Sequence, residues 1–440
     1  MEDKELFELD EYELEPEEWE QERAEKTAFL ASLVRQGESE AYTKATLKEL
    51  ERLADTAGIE VLGSYSQKKN NPERGTFFGK GFLEDISQKM LAAQAELLIV
   101  NEELSPMQGR NIERDYGIKV IDRTEVILSI FHDHARTREA KLQVRLAELE
   151  YQLPRLKKLW GHFDKERGSV RSAGGSATRG MGEKQIEIDK RLIKVQIRRI
   201  HNAIDKITHQ KETQRKQRIN TKKICLVGYT NAGKSTLFNQ LTQAGVLVED
   251  KLFATLDSTS RQLKLSTGNP VVLSDTVGFI SNLPHHLVAS FRATLMEVLD
   301  ADLLLHIVDS SDERYGYYIE QVNTVLQQIK AENIPQVLVL NKTDLLDKVY
   351  RNLLKKRYPD AAMISAAQGI NIDELVSIVE HKALGNQTIS IKLPYDKTSL
   401  VSKLHEIAVI KTEDYREDGI YLTVEISSDD RYLIADYTVA

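Results

Sequence analysis

Gly228-Tyr-Thr-Asn-Ala-Gly-Lys-Ser235 reads as a GxxxxGKS loop. It follows the apolar run Ile224-Cys-Leu-Val227 and precedes a helix-compatible segment, Thr236 to Thr242. A strand that runs into a glycine-rich turn and opens a helix is the setting a phosphate-binding loop requires. Gly228 and Gly233 let the backbone curl, so that the N–H groups of Tyr229, Thr230, Asn231 and Ala232 turn toward phosphate oxygens. The helix N-terminus adds partial positive charge. Lys234 adds a full one, and the Ser235 hydroxyl is placed to ligate Mg²⁺.

Four further segments narrow the ligand. Asp275-Thr276-Val277-Gly278 follows the strand-like Val271-Val-Leu273. Asp275 can hold Mg²⁺ through water, and the Gly278 N–H can meet a γ-phosphate, so losing that phosphate would release the segment. In Phe253-Ala254-Thr255-Leu256-Asp257, Thr255 is the expected second hydroxyl ligand of Mg²⁺. Asn341-Lys342-Thr343-Asp344 follows the run Gln336–Leu340. The Asp344 carboxylate can accept from guanine N1–H and N2–H₂; adenine offers neither donor, which would leave a carboxylate buried and unpaired. Lys342 can pack its stem over the base, and Asn341 can tie this loop to the phosphate loop. Backbone N–H groups of Ser365-Ala366-Ala367 can read guanine O6. Each motif is short, but in this order, each after a strand, they specify a GTPase with GTP and GDP as ligands.

Lys234, Asn231, Thr255 and Gly278 are the expected catalytic residues. One expected group is missing. Phe279 stands where Ras-like proteins carry a water-positioning glutamine, so intrinsic hydrolysis is expected to be slow. The Asn231 amide oxygen is a candidate ligand for a monovalent cation, K⁺, where an arginine finger would otherwise act.

At 440 residues the chain exceeds one ordinary core. No apolar run reaches the roughly 20 residues of a membrane helix. The acidic N-terminus and a single cysteine, Cys225, fit a cytoplasmic protein without a leader or disulfide. A monomer is expected. The net charge of −8 hides a division. Met1 to Glu22 carry twelve acidic residues against one lysine, whereas Glu183 to Lys223 carry thirteen Lys/Arg against five Asp/Glu. The second stretch points to a polyanion.

Five segments follow. Residues 1–25 read as an acidic disordered tail. Residues 26–122 alternate strands and helices, as in a small parallel α/β domain. Residues 123–218 read as an antiparallel helical hairpin: Leu142, Leu146, Leu149, Leu153 and Leu156 recur at helical spacing, as do Ile186, Ile193, Ile197, Ile200, Ile204 and Ile207. Arg191, Lys194, Arg198 and Arg199 line one arm, and Arg171 and Arg179 lie in the Gly/Ser-rich connection; all six are candidate RNA contacts. Residues 219–386 form a doubly wound nucleotide domain, with ligand at the strand C-termini. Residues 387–440 read as a small α+β appendage.

Over most of residues 70–300 the chain resembles the HflX family of translation-factor-related GTPases. The likeness is carried by Phe77-Phe-Gly-Lys-Gly-Phe-Leu-Glu-Asp-Ile86, Asp122-Arg-Thr, His134-Ala-Arg-Thr-Arg-Glu-Ala-Lys-Leu-Gln-Val144, Gly182-Glu-Lys-Gln-Ile-Glu187, the phosphate loop through Thr236, and Asp275-Thr-Val-Gly-Phe-Ile280. The resemblance implies binding to the large (50S) ribosomal subunit and its rRNA. It implies dissociation of stalled 70S ribosomes driven by GTP binding, with the hairpin near the peptidyl-transferase region, and release on hydrolysis. There are departures. Ser258 stands where the family usually has Pro, and Gly180-Met-Gly-Glu-Lys-Gln185 replaces a usual Gly-Pro-Gly-Glu-Thr-Gln. The rival expectations are a GTPase of ribosome assembly or RNA modification, and a non-catalytic RNA-binding module.

Overall fold

The computed structural model describes residues 26–156, 177–216, 221–242, 252–253, 256, 258–265, 270–281, 297–384, 387–416, 418–426 and 431–438. The acidic tail and the hairpin connection around Arg171 lie outside them, as do Ala254, Thr255 and Asp257. Compactness divides the chain into Met1–Ser129 and Ile130–Ala440.

The first unit holds strands β1 (Lys26–Val34), β2 (Ile59–Lys68), β3 (Leu97–Val100) and β4 (Lys119–Asp122). They form a parallel sheet in the order β2-β1-β3-β4. Central β1 is buried continuously from Ala28 to Val34, as a strand covered on both faces must be, whereas edge strand β2 alternates between half-buried and exposed. Helices α1 (Glu40–Thr56), α2 (Lys80–Ala93) and α3 (Pro106–Tyr116) make the crossovers. Their ends follow local chemistry. The Ser39 hydroxyl caps α1 by accepting from Tyr42 N–H, and α3 starts with a Ser105/Gln108 capping box and Pro106. Phe29, Phe78, Leu83, Ile86, Leu98 and Ile112 fill the core beneath.

A polar network is buried where β1, β3 and β4 end. The Arg123 guanidinium donates to Glu49 Oε1 at 2.9 Å and to Asn101 Oδ1 at 3.1 Å. Asn101 Nδ2 donates on to Thr46 Oγ1 at 3.2 Å.

Arg123 also opens α4 (Arg123–His134). In the second unit, α5 (Arg138–Gln152) packs against α6 (Ala177–Lys216), the expected helical pair. Val144, Ala147 and Tyr151 are buried on α5 beside the anticipated Leu146 and Leu149. On α6, Ile197, Ile200, Ile204 and Ile207 are half-buried, whereas Arg191, Lys194, Arg198 and Arg199 are exposed. At 3.6 residues per turn, Arg191, Lys194 and Arg198 fall within one arc of about 60° to the side of that isoleucine seam.

Next comes the nucleotide domain, with β5 (Lys222–Gly228), α7 (Lys234–Thr242), β6 (Thr259–Lys264), β7 (Pro270–Asp275), β8 (Leu303–Asp309), α8 (Tyr315–Gln328), β9 (Gln336–Asn341), α9 (Lys348–Arg357), β10 (Ala362–Met363) and α10 (Ile372–Leu384). The sheet order is β10-β9-β8-β5-β7-β6, parallel except for β6, which runs antiparallel to β7. Leu226, Leu237, Phe238, Leu305, Val339 and Leu375 fill one face. Cys225, Val227, Leu304 and Val322 fill the other, and burial raises the Cys225 thiol far above its usual range. The appendage is an antiparallel sheet, β11 (Gln387–Leu393), β12 (Val409–Arg416) and β13 (Gly419–Ile426), ordered β11-β13-β12 and covered by α11 (Thr398–Ile407). Among the described residues no helix is long and apolar enough to cross a membrane.

Two outcomes are expected from this packing. Arg123→Leu takes the cation away from the buried Glu49 carboxylate and is expected to cost about 3–5 kcal/mol in urea unfolding. His306 in β8 is 2% exposed; burial lowers its pKa to about 4, and the nearby Lys234 ammonium adds to the effect. Its usual value is 6.5, so between 6.5 and 4 the unfolded chain takes up a proton that the folded chain refuses. Stability is therefore complete above pH 6.5 and is expected to fall by up to about 1.4 kcal/mol per pH unit below it. In urea midpoints measured against pH, His306→Leu should show a smaller acid loss.

Candidate functional site

Four loops meet at the C-terminal ends of β5, β7, β9 and β10, where an open α/β sheet binds its ligands. The first is the phosphate loop. A Cβ on Gly228 would collide with the Ile307 carbonyl of neighbouring β8, and one on Gly233 would collide with Asn341 Nδ2. Both glycines are therefore required by close approach as well as by their positive φ. Asn231 also adopts the left-handed conformation, with φ of 60°.

Lys234 opens α7, and its ammonium turns back over the loop. Nζ donates to the Tyr229 carbonyl at 2.9 Å and to that of Gly228 at 3.2 Å. The side chain is buried, which lowers its pKa to about 8, while the Asp275 carboxylate pulls the other way. Next to it, Ser235 Oγ donates to Asp275 Oδ2 at 2.6 Å. A hydroxyl and a carboxylate held this close are hard oxygen donors of the kind Mg²⁺ selects.

The segment after β7 lies across the loop. Asp275 and Thr276 are buried, and Thr276 Oγ1 donates to the Leu226 carbonyl at 2.7 Å. A Cβ on Gly278 would stand 2.8 Å from Thr230 Cα and 2.9 Å from Lys234 Nζ, so this backbone rests directly on the phosphate loop. Phe279 N–H donates to the Gly228 carbonyl at 3.0 Å, and Thr230 N–H to the Phe279 carbonyl at 2.8 Å. The Phe279 ring is buried in the core with Val227, Val298, Leu304 and Val322. It can orient no water.

Asn341 is the junction of the base end. Its Nδ2 donates to the Ala232 carbonyl at 2.9 Å, and its Oδ1 accepts Ala366 N–H at 2.9 Å. One amide thus ties the phosphate loop to the Ser365–Ala367 turn. Lys342, at φ 60°, places its ammonium 2.7 Å from Asp309 Oδ2, while Asp344 is exposed in a short turn of helix. Thr343 Oγ1 donates to the Ile364 carbonyl at 2.9 Å, which fixes the two loops side by side. In the last loop Ser365 N–H is donated to Ile370 and Ala367 is exposed.

Two of the sequence-assigned residues behave differently from simple ligand contacts. Phe253 and Leu256 are buried, and the Phe253 ring meets Phe131 of α4 edge-on at 4.7 Å. Only their main chain is available to a ligand. Thr255, Ala254 and Asp257 lie outside the described residues. Of the candidate RNA contacts, Arg191, Lys194, Arg198 and Arg199 are exposed on α6, and the side chain of Arg179 is outside what is described.

Sequence reading also missed partners that carry no motif. Asp309, at the end of β8, holds Lys342. Tyr318 of α8 stacks on Tyr229 at 4.2 Å. Ser310 Oγ donates to the Asn341 carbonyl at 2.6 Å. An Asp-Ser pair ending an apolar strand was the one available signal, for Asp309 and Ser310 alone.

Comparison with known proteins agrees with this geometry. Residues 44–132 match the profile of the N-terminal region of GTP-binding GTPases, 134–218 that of their middle region, and 223–342 that of the 50S ribosome-binding GTPase family. The GTPase HflX of Caldanaerobacter subterraneus subsp. tengcongensis is 40% identical over 421 residues, 95% of each chain. That of Escherichia coli K12 is 40% identical over 378 residues, 85% of this chain and 87% of its own. A GTP-binding protein from Sulfolobus solfataricus, solved in complex with GDP, is 25% identical and aligns over 81% of this chain and 98% of its own, with a TM-score of 0.43. A phosphate loop, a buried lysine and a guanine-type Asn-Lys-Thr-Asp loop, joined to relatives that match almost end to end, place the chain in the HflX family of GTPases, enzymes that hydrolyse GTP.

Proposed function

We propose that this GTPase binds the large ribosomal subunit and its rRNA, that GTP binding drives dissociation of stalled or idle 70S ribosomes, and that hydrolysis releases it. It acts as a monomer in the cytoplasm. One observation supports the ribosomal reading above the rest: Arg191, Lys194 and Arg198 are exposed along one side of α6, and none of them pairs with a carboxylate among the described residues. A cationic face kept clear of the core on a long helix fits a phosphate backbone.

At the nucleotide site, N–H groups of residues 229–235 receive the phosphates, and Lys234 supplies the charge that compensates them. Asp344 reads the guanine edge, with Ala366 and Ala367 beside O6 and Lys342 along the base. Ser235 and Thr255 would hold Mg²⁺ directly, and Asp275 through water. When bound there, Mg²⁺ would supply charge that neutralises what develops on the phosphates. Gly278 presents its N–H to the γ-phosphate. Since the Phe279 ring is turned into the core, Asn231 is left to supply an amide oxygen for K⁺.

Four measurements test this reading. In sedimentation profiles, wild type with GTP or a non-hydrolysable analogue is expected to deplete 70S ribosomes, and Lys234→Ala is expected to leave them intact. Isolated large subunits that bind equally with GTP analogue and GDP would instead favour a role in assembly. Asp344→Asn removes two charge-assisted hydrogen bonds to guanine, so GDP affinity should fall by roughly 100-fold or more, with xanthosine diphosphate now preferred. Turnover should be several-fold faster in K⁺ than in Na⁺; equal rates would remove the cation from the mechanism.

A further inference from the structure

We infer that the Tyr229 phenol positions the Gly278–Ser281 segment for GTP hydrolysis, standing in for the fixed point that a switch glutamine would provide. The inference rests on the nucleotide-site reading above. With the Phe279 ring committed to the core, Gly278 and Phe279 meet the phosphate loop through their main chain. Their placement is what the site has to work with.

Three hydrogen bonds set that placement. Two are backbone pairs, Phe279 N–H to the Gly228 carbonyl and Thr230 N–H to the Phe279 carbonyl. They form an isolated bridge between Tyr229 and Phe279 that any side chains would allow. The third depends on a side chain: Ser281 N–H donates to the Tyr229 hydroxyl at 2.7 Å. It pins the far end of the turn, three residues beyond Gly278, and both Tyr229 and Ser281 are buried.

The phenol can act as a fixed point because its ring is itself held. It stacks on Tyr318 at 4.2 Å and 30°. The Tyr318 hydroxyl donates to Asp312 Oδ2 at 3.2 Å, Arg314 N–H donates to Asp312 Oδ1 at 2.8 Å, and the Arg314 guanidinium lies 5.1 Å over the Tyr318 ring. Within the loop, the Tyr229 carbonyl accepts from Lys234 Nζ. The same residue therefore holds the lysine through its main chain and the Gly278–Ser281 turn through its side chain. GDP lacks the γ-phosphate that the turn faces, so GDP binding should not depend on the phenol.

Tyr229→Phe keeps the ring and its stack and deletes one oxygen. By fluorescent-nucleotide titration and steady-state GTP hydrolysis, GDP affinity and KM are expected to stay within about twofold of wild type. The kcat should fall about tenfold, the worth of one buried hydrogen bond. The melting temperature with GDP bound should stay close to that of wild type. Tyr318→Leu loosens the ring and should lower kcat by a smaller factor. The double variant should be no slower than Tyr229→Phe, because Tyr318 acts through the phenol. Wild-type kcat in Tyr229→Phe with GDP binding intact would overturn the inference. So would an equal loss of GDP and GTP binding, which would show the phenol serving the loop alone. A wild-type protein that bound no GDP would instead remove the underlying nucleotide-site reading.

Discussion

A buried ammonium governs the nucleotide end of this molecule. Taking a lysine charge out of water costs several kcal/mol unless its surroundings answer it. Here two loop carbonyls and the Asp275 carboxylate answer it in part, and a pKa lowered to about 8 shows that the compensation is incomplete. A polyphosphate supplies what is lacking. The remaining geometry follows from keeping that charge in place. Gly228 lets the loop pass close under β8, Gly233 makes room for Asn341, and the Asn341 amide carries the loop's position across to the turn beside the guanine-reading loop.

Much of this was legible in the sequence because P-loop chemistry is local. A glycine pair, a lysine and a hydroxyl at fixed spacing after an apolar strand leave few alternatives, and each downstream motif announces itself after its own strand. The helical pair was legible from the spacing of Leu146, Leu149, Ile197 and Ile200, although Val144, Ala147 and Tyr151 share the burial. The unread parts are the long-range ones. Nothing local says that Tyr229 meets Tyr318, that Lys342 meets Asp309, or that Arg123 closes on Glu49 across 74 positions of chain. Phe253 and Leu256 sit inside a segment assigned to the ligand, yet their side chains are buried, because large apolar groups are drawn out of water wherever the motif places them. Strand β6 holds a single apolar residue, Leu263, so no hydrophobic pattern announces it. Its antiparallel pairing to β7 lets polar residues such as Ser260 serve as ladder positions, with Ser260 and Ser274 joined at 2.8 Å.

Charge is separated along the chain with some economy. Arg191, Lys194, Arg198 and Arg199 of α6 are exposed, so they add little desolvation cost to folding and stand open to a polyanion. Among the described residues, the one buried Lys or Arg outside the nucleotide site, Arg123, is matched by Glu49 and Asn101. The two sites show opposite uses of one rule: a buried charge answered from within stabilises a domain, and one answered only in part waits for a ligand.

The length of α6 has a mechanical consequence. Forty residues of unbroken helix span roughly 60 Å. A stiff rod of that reach works as a lever: tilting its root by about 5° sweeps the far end through about 5 Å, the scale of one helical turn. A sub-ångström adjustment beside a phosphate would need no large domain swing to be felt at the other end of such a rod, only a slight change in the angle at which the rod is clamped.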